Sequence, residues 1–245
     1  LSNIRHSLAH LLAAAVLEKY PEAKLAIGPV IENGFYYDMD FPKDKQLSAE
    51  DLPALENRMR ELARGDLLFE QEKVSVDEAR AKFAENPYKL ELIDEIATRG
   101  EDITLYTVGG FTDLCRGGHV KTTEEIDPDA FALTHIAGAY WRGDEKNAML
   151  TRVYGLAFNT KEELKTYVTQ LEEAKKRDHR KLGKELELYT IIDEVGPGLP
   201  LFYPKGAILR RVVENFITEE QEKRGYMPIW IPHITKGKLY EISGH

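Results

Sequence analysis

The sequence contains little cysteine, no long apolar run and no excess of positive charge. Its single cysteine, Cys115, excludes an internal disulfide framework and favours a reducing compartment. No apolar stretch approaches the ~20 residues of a membrane-spanning helix, and no signal-peptide pattern is visible, so we expect no membrane partner. The net charge of −9 argues against a general nucleic-acid-binding surface, although it does not exclude a local one.

Positive charge is concentrated in one stretch of an otherwise acidic chain. Residues 174–184 contain six lysines and arginines and one acidic residue. Such a stretch is either a solvated helix face or a strip that contacts phosphates, and the sequence alone leaves both interpretations open. With 245 residues, of which 42% are apolar, the chain is long enough for one large domain or two smaller ones.

The first 159 residues mix predicted helices and strands without a regular βαβ rhythm. The segment from Ser2 to Lys19 is apolar on most of its circumference, which is typical of a helix inside a domain. Asn33-Gly34 is a strong hairpin signal between the segments 25–30 and 35–41. The other predicted elements are helices that begin after Ser48, Ser75 and Asn86, and strands over 67–74, 103–108, 130–141 and 149–158. This mixture favours an α+β domain with an antiparallel sheet and packed helices.

The last third of the chain has a different organisation. A long polar helix is predicted from Thr160 to about Leu186, and the segment Gly196 to Pro200 marks a boundary. Beyond it, an amphipathic helix over 207–224 is followed by a predicted strand over 226–231. One helix and one strand cannot bury a core of their own. We therefore divide the chain into a domain over 1–159, a linker helix and connector over 160–195, and part of a second domain over 196–245.

Two short polar motifs carry the candidate chemistry. His6 and His10 are four residues apart, and Cys115 and His119 have the same spacing. A four-residue step puts both side chains on one helix face, so the two pairs can converge on a pocket of three imidazoles and a thiol. That is the ligand set of a tetrahedral metal site or a hydrolytic cleft, and Asp113 faces the same side as Cys115 on a strand. The alternative is that the histidines are buried and bonded to backbone or carboxylate groups, with the cysteine a small buried hydrophobe.

Several motifs resemble those of a known family. They are Arg5 to Leu12, Ile27 to Pro29, Asn33 to Asp38, Asp113 to Val120 and Ala137 to Asp144. In this order they resemble the editing domain of bacterial-type threonyl-tRNA synthetases, which is shared in outline with alanyl-tRNA synthetases. Residues 177–183 resemble the family's junction to its catalytic domain, and residues 201–233 resemble the first class II synthetase motif, which forms part of a dimer interface. Gly118 departs from the pattern, because the family usually has proline there.

The resemblance implies a fold, an activity and partners. It implies an editing domain, a linker helix and an incomplete class II catalytic domain from a cytoplasmic, homodimeric synthetase that acts in translation. The intact ligase would use ATP, Mg²⁺ and zinc in its catalytic domain to join threonine to tRNA(Thr). The editing site would hydrolyse mischarged seryl-tRNA(Thr). We also expect an upstream segment, because the chain begins at Leu1 rather than at methionine.

The resemblance also implies site residues, which are His6, Lys89 and Asp113 for catalysis and His10, Cys115, His119, Tyr140 and Arg142 for substrate binding. His6 and Lys89 would position or activate the water, and Asp113 would hold the seryl ammonium group or orient a histidine. The binding residues would shape the pocket and contact the single-stranded end of the tRNA. Zinc is possible at the cluster of His6, His10, Cys115 and His119, but the resemblance implies no obligatory metal for editing.

Other interpretations of the same residues stay open. Taken alone, Lys89 would be a helix-surface charge, and Trp141, beside Tyr140, would be a core aromatic. A freestanding zinc-dependent deacylase or amidase would use the same polar cluster on another substrate. A module that only binds tRNA or dimerises would keep the cluster as a structural feature.

Overall fold

The computed structural model describes residues 1–234 and 236–244. The chain divides into two compact units, Leu1–Thr169 and Gln170–His245. The helices are α1 (Ser2–Lys19), α2 (Leu52–Ala63), α3 (Val76–Lys82), α4 (Pro87–Thr98), α5 (Lys161–Lys176), α6 (His179–Glu185), α7 (Pro204–Lys223) and α8 (Lys238–Ser243). The strands are β1 (Lys24–Leu25), β2 (Val30–Ile31), β3 (Gly34–Asp40), β4 (Glu70–Val74), β5 (Ile103–Val108), β6 (Phe111–Leu114), β7 (Phe131–Tyr140), β8 (Met149–Ala157), β9 (Tyr189–Thr190) and β10 (Leu201–Phe202).

The first unit is built on two antiparallel sheets. In the larger sheet the strands lie in the order β1–β3–β8–β7, and β2 pairs with β3. The smaller sheet has the order β4–β5–β6. This mixture of helices and antiparallel sheets confirms the predicted fold class, whereas the assignment of the last segment to a class II catalytic domain stays a prediction. None of the helices in the described part of the chain is both long enough and apolar enough to cross a bilayer.

Helix α1 forms the centre of the core of the first unit. Leu8, Leu11 and Leu12 are fully buried and belong to the same apolar cluster as Phe35 and Met39 of β3. Burying one such large apolar side chain stabilises a fold by roughly 1.5–3 kcal/mol. Almost every residue of α1 after its first turn is buried, as the sequence predicted. Its second face therefore holds polar groups inside the unit rather than in solvent.

Arg5 fixes the beginning of α1 to the larger sheet. Its Nε donates a hydrogen bond to the carbonyl of Ala157 at 3.0 Å, and its Nη1 donates to the carbonyl of Glu32 at 2.5 Å. These carbonyl groups lie at the end of β8 and in the turn between β2 and β3. The first turn of α1, which carries His6, is therefore attached to two strand ends.

The hairpin predicted at Asn33-Gly34 is present, but it begins one residue earlier. Ile31 pairs with Gly34, so the two turn residues are Glu32 and Asn33. Gly34 is needed in the strand, because a Cβ there would lie 1.9 Å from the carbonyl oxygen of Gly155. The strand predicted over 25–30 is divided into β1 and β2.

The smaller sheet and helix α4 position the other candidate residues. Strand β6, which the sequence analysis did not predict separately, pairs with β5 and carries Asp113. Helix α4 begins where predicted, and the side chain of Asn86 caps it by accepting hydrogen bonds from the amides of Tyr88 and Lys89 at 3.1 and 3.3 Å. Such caps satisfy amides that have no partner within the helix.

Two predictions for the last third of the chain are wrong. The single helix predicted over 160–186 is two helices, α5 and α6, because the side chain of Asp178 accepts a hydrogen bond from the amide of Arg180 and so caps a new helix. The segment 226–231 forms no strand with any other described residue, and Trp230 is 83% exposed. A strand requires a hydrogen-bonded neighbour, and the paired strands of this unit are β9 and β10.

Candidate active site

The structure brings the two polar motifs together. His6 and His10 lie one turn apart on α1, and Cys115 and His119 lie in the loop that follows β6. One potential ligand atom of each residue lies within 4.8 Å of those of the other three. His6 Nε2 is 3.4 Å from Cys115 Sγ, which is 3.2 Å from His119 Nε2. We call these four residues the ligand cluster.

The loop that carries Cys115 and His119 is fixed to the neighbouring strand. The Cys115 amide donates to the Thr104 carbonyl at 3.1 Å, and the Thr104 hydroxyl donates back to the Cys115 carbonyl at 2.5 Å. Gly117 and Gly118 have φ angles of +113° and +89°, a region that residues with a Cβ rarely occupy. Proline holds φ near −65°. The glycine at position 118 therefore allows a loop conformation that the family's usual proline would exclude.

Neighbouring groups orient the His119 ring. Its Nδ1 is 3.2 Å from the Ser7 hydroxyl, which also accepts a hydrogen bond from the Val120 amide at 3.1 Å. One face of the ring stacks on Phe69, with 4.9 Å between the ring centroids and 11° between the planes. Because Nδ1 is engaged by Ser7, Nε2 is the nitrogen that faces Cys115. A hydrogen bond on the remote nitrogen is the usual way in which proteins orient a metal-binding histidine.

Burial keeps the cluster uncharged at neutral pH. Desolvation lowers the pKa of His6, lowers that of His10 well below its usual value and lowers that of His119 to about 2. Desolvation also raises the pKa of the Cys115 thiol to about 11. The cluster therefore consists of three neutral imidazoles and a thiol, so each histidine has one ring nitrogen that carries a lone pair instead of a proton.

These residues fit a zinc ion. Zinc prefers four nitrogen or sulfur ligands in a tetrahedron, with bonds of about 2.0–2.3 Å. The distances between ligand atoms in such a tetrahedron are close to those that separate Cys115 Sγ from His6 Nε2 and from His119 Nε2. Within the described ranges, His10 Nδ1 is the buried side-chain nitrogen or oxygen atom with no hydrogen-bond partner. His10 itself is only 2% exposed. The cluster thus contains a desolvated donor that the protein leaves unsatisfied, as expected at a ligand site.

A buried ion pair lies beside the ligand cluster. Lys89 Nζ is 2.5 Å from Asp113 Oδ1, and both residues are 2% exposed. The Tyr37 hydroxyl donates to the other carboxylate oxygen of Asp113 and accepts from Lys89 Nζ at 3.3 Å. The interpretation of Lys89 as a helix-surface charge is therefore wrong. We call Lys89, Asp113 and Tyr37 the buried triad.

Asp113 connects the triad to the cluster. It lies on β6, two residues before Cys115, and its negative charge acts to raise the pKa of both His6 and His119. Its oxygens accept hydrogen bonds from Lys89, Tyr37 and the Leu114 amide. Among the described residues, no hydrogen bond joins Asp113 to a histidine.

Tyr37 is the site residue that the sequence analysis missed. It lies within the motif Asn33 to Asp38, and its hydroxyl reaches a carboxylate 76 residues away. Alternation along β3 was a usable signal, because it places Tyr37 on the same face of the sheet as the buried Phe35 and Met39. A tyrosine on a buried face requires a partner for its hydroxyl.

Arg142, which was predicted to contact the tRNA end, lies against helix α4, as does its neighbour Trp141. Arg142 Nε is 2.6 Å from Glu91, and Arg142 also pairs with Glu95. Trp141 is 6% exposed, packs with Tyr88 and donates from Nε1 to Glu91 at 2.8 Å, which confirms its interpretation as a core aromatic. Tyr140 is partly exposed at the end of β7. The structure does not place these side chains in the ligand cluster.

Comparison with known proteins shows what this chain is similar to. Residues 103–154 match the family described as the threonyl and alanyl tRNA synthetase second additional domain. That match begins with β5 and includes Asp113, Cys115 and His119. The chain is also similar to threonine–tRNA ligases from three bacteria. It is 52% identical to that of Rubrobacter xylanophilus, 51% to that of Borreliella burgdorferi and 53% to that of Dehalococcoides mccartyi, over 98–99% of its own length.

The chain is similar, over nearly all of its length, to one segment of these threonine–tRNA ligases. It spans 37–41% of the length of these curated relatives. The threonine–tRNA ligase relatives align with the ligand cluster, the buried triad and both compact units, since the similarity extends over nearly all of the chain. The family match by itself covers β5 and β6 of the smaller sheet, and β7 and most of β8 of the larger one.

Proposed function

We propose that this chain edits the product of a threonine–tRNA ligase by hydrolysing the ester that joins serine to tRNA(Thr). The single observation that carries the proposal is the convergence of the ligand cluster and the buried triad within a segment so similar to threonine–tRNA ligases. We propose further that the intact protein uses ATP to join threonine to tRNA(Thr), acts in the cytoplasm and forms a homodimer.

Editing has a physical reason in such an enzyme. Serine is smaller than threonine by one methyl group, so a threonine-binding site favours threonine over serine by only about 1–3 kcal/mol. A second site that admits serine and excludes the extra methyl group removes the remaining errors. A pocket of fixed, largely buried side chains is suited to such exclusion, because a close-packed wall cannot accommodate another methyl group without strain.

The reaction is hydrolysis of an ester. A water oxygen attacks the seryl carbonyl carbon, negative charge develops on the carbonyl oxygen, and the ribose oxygen of the terminal adenosine departs with a proton. We propose that His6, which is partly exposed, positions the water and that His119 and Cys115 form the wall of the pocket. A histidine that is neutral at pH 7 is able to accept a proton from the attacking water.

We propose that the buried triad acts as a unit. Lys89 and Asp113 neutralise each other in a region from which water is excluded, so neither is an isolated charge. The pair fixes the electrostatic potential next to the cluster, and a preorganised potential stabilises the charge that develops on an ester oxygen. Zinc, if held by three of the four cluster residues with the fourth position open, would lower the pKa of a bound water to about 7 and polarise the ester carbonyl.

The division of the chain into functional segments is also part of this proposal. We assign residues 1–159 to editing, 160–195 to a linker and 196–245 to the beginning of a class II catalytic domain. Helix α7 supports a packed or dimeric role for the last segment, because its apolar residues Val212, Val213 and Phe216 are 54–61% exposed in this unit. Apolar helix faces of this kind are typical of surfaces that pack against another element or subunit.

A deacylation assay tests the proposal. Purified protein is incubated with seryl-tRNA(Thr) or threonyl-tRNA(Thr), with and without a chelator, and the release of labelled amino acid is followed. We expect rapid release of serine, slow release of threonine and a loss of about 100-fold or more in His6→Ala. His135→Ala, which changes an exposed histidine on β7, is the matched control and should keep full activity.

The alternatives predict other outcomes in the same assay. Complete loss of activity on chelation, with stoichiometric zinc in the purified protein and no preference for seryl-tRNA, would indicate a zinc-dependent deacylase for another substrate. Binding of tRNA without release of either amino acid would indicate a binding module, and in that case His6→Ala should change stability only. Either outcome would overturn the proposed editing activity.

A further inference from the structure

A cleft of about 280 Å³ opens directly beside the ligand cluster, between helix α4 and the edge of the smaller sheet. Its apolar floor is formed by Leu92, Ile96 and Leu114, and Cys115 lies on its lining. Cys115 therefore belongs both to the cluster and to the wall of this cleft. A group bound in the cleft would lie next to the site at which we propose that the ester is hydrolysed.

Two arginines at the cleft share one carboxylate. Arg116 Nη2 is 2.6 Å from Glu101 Oε2, and Arg99 Nη1 is 3.9 Å from the other oxygen of Glu101. Arg99 and Arg116 both line the cleft, and Arg116 directly follows Cys115 in the chain. The guanidinium groups are thus held at the mouth of the cleft by an exposed acid.

The other acidic groups of the cleft have their own partners. Asp102 pairs with Lys73 at 2.6 Å, and Glu95 pairs with Arg142 in addition to a longer contact of 3.4 Å with Arg99. Glu101 is therefore the principal partner of Arg116, whereas Arg99 lies closer to Glu95, at 3.4 Å, than to Glu101, at 3.9 Å. Each guanidinium group has five N–H donors, so these contacts with Glu95 and Glu101 leave donors that are able to bind a further anion.

The contacts of these arginines can be exchanged for a ligand. The side chains of Arg116 and Arg99 are 63% and 54% exposed, and that of Glu101 is 39% exposed. Exposed ion pairs contribute little to stability, since water screens them. A phosphate offers arginine a paired set of acceptor oxygens and binds it more strongly than a solvated carboxylate does.

We propose that this cleft binds the penultimate nucleotide of the tRNA 3′ end, with its base on the apolar floor and the phosphate that links it to the terminal adenosine on Arg99 and Arg116. This proposal rests on the proposed editing function. The position of this phosphate follows from the chemistry of the substrate. The esterified hydroxyl and the 5′ phosphate belong to the same ribose, so the phosphate lies within the length of one sugar of the ester. A ribose whose ester is at the cluster therefore brings its phosphate to the adjoining cleft, which shares Cys115 with the cluster.

The test compares ligands that differ by this one phosphate. Seryl esters of adenosine and of the dinucleotide CpA are assayed for hydrolysis, and uncharged CpA and adenosine are assayed for binding by calorimetry. Arg99→Ala/Arg116→Ala should raise the KM for the CpA ester relative to that for the adenosine ester by roughly tenfold, and should weaken CpA binding by the same factor. The preference of the wild type for CpA should fall as salt concentration rises.

A second variant should change the KM for the CpA ester and the affinity for CpA in the opposite direction. Glu101→Gln releases Arg116 from its carboxylate and removes the longer of the two acidic contacts of Arg99, so it should lower the KM for the CpA ester and tighten CpA binding. Arg80→Ala is the matched control, because Arg80 is an exposed arginine paired with Asp94 outside the cleft, and it should change neither quantity. If both cleft variants behave like Arg80→Ala, the phosphate site is refuted.

The two proposals fail in different ways. A wild type that hydrolyses neither ester but binds CpA more tightly than adenosine, through Arg99 and Arg116, would refute editing and support the phosphate site. A wild type that hydrolyses both esters equally well, with no effect of the cleft variants, would support editing and refute the phosphate site. Equal affinity of the wild type for CpA and adenosine would likewise refute the phosphate site.

Discussion

Substitution of Lys89 by methionine is the sharpest test of the buried triad. Methionine is apolar and of similar length, so it fills the space without supplying a charge. The change leaves the carboxylate of Asp113 buried, with hydrogen bonds from Tyr37 and the Leu114 amide but without its counter-ion. An uncompensated buried charge is among the most destabilising single changes known in proteins.

The burial of the pair sets the magnitude of the effect. Both side chains are 3% exposed, so solvent cannot replace the lost partner. Removal of one member of such a pair costs about 3–5 kcal/mol, and the two remaining hydrogen bonds to Asp113 place the expected loss near the lower end, at about 3 kcal/mol. For a unit of this size, a loss of 1 kcal/mol lowers Tm by about 2–4 °C. We therefore expect Tm to fall by roughly 6–12 °C.

Thermal and urea unfolding of the full chain measure this loss. The double variant Lys89→Met/Asp113→Asn should be less destabilised than the sum of the two single variants, because the second change removes the unpaired charge. Lys161→Met is the matched control, since Lys161 pairs with Asp129 on the surface, and it should leave the unfolding midpoint unchanged. If Lys89→Met has the same unfolding midpoint as the Lys161→Met control, the claim that the pair is buried and stabilises the fold is refuted.

Three further perturbations test the ligand cluster and its loop. Gly118→Pro forces a φ near −65° on a residue whose φ is +89°, so it should displace the loop. The rate of deacylation should fall by about tenfold or more, in a protein that circular dichroism shows to be folded. Unchanged activity would show that the loop tolerates both conformations. Addition of Zn²⁺ at 100 times its Kd should stabilise the first unit by about 2.7 kcal/mol, and His10→Leu should abolish this shift; no shift in the wild type would mean that the cluster binds no zinc. Ser7→Ala leaves the Val120 amide without its hydrogen-bond acceptor. The free energy of unfolding, measured by urea unfolding, should therefore fall by about 1–3 kcal/mol. A loss well below that range would mean that water or another group replaces the hydroxyl.

The sequence predicted the elements whose signals are local. Helix α1 has the predicted bounds, because its apolar residues lie on most of its circumference and a proline follows two residues after its end. The capping residues Ser75 and Asn86 begin helices as expected, with Ser75 accepting from the amide of Glu78 at 3.2 Å. Each of these signals depends on residues within one or two turns of each other.

The wrong predictions concern choices that local periodicity does not determine. The pattern around Asp178 is equally compatible with a continuous helix and with a break, and the break depends on whether the aspartate side chain caps the next turn. The segment 226–231 has the composition of a strand, but composition does not supply the neighbouring strand to which it would bond.

The candidate site was predictable in part for the same reason. The four-residue spacing of its histidines and of its thiol and imidazole is a local feature, and it predicted the ligand cluster. The burial of Lys89 is not local, because it depends on a carboxylate on β6 and a hydroxyl on β3 that meet only in the folded unit. No periodicity in α4 distinguishes a lysine that faces such partners from one that faces solvent.

The two polar groups inside the first unit are satisfied to different degrees, and this difference separates structure from chemistry. Within the buried triad, Tyr37, Lys89 and Asp113 supply one another with hydrogen bonds and an opposite charge, so the group is stable without any ligand. In the ligand cluster, His6 and His119 contact Cys115, whereas the buried His10 Nδ1 has no hydrogen-bond partner among the described residues. A polar group that is buried at a cost and left unsatisfied has to gain its partner from outside the chain. This difference supports the proposal that a ligand binds at the cluster, next to the fixed ion pair of the triad.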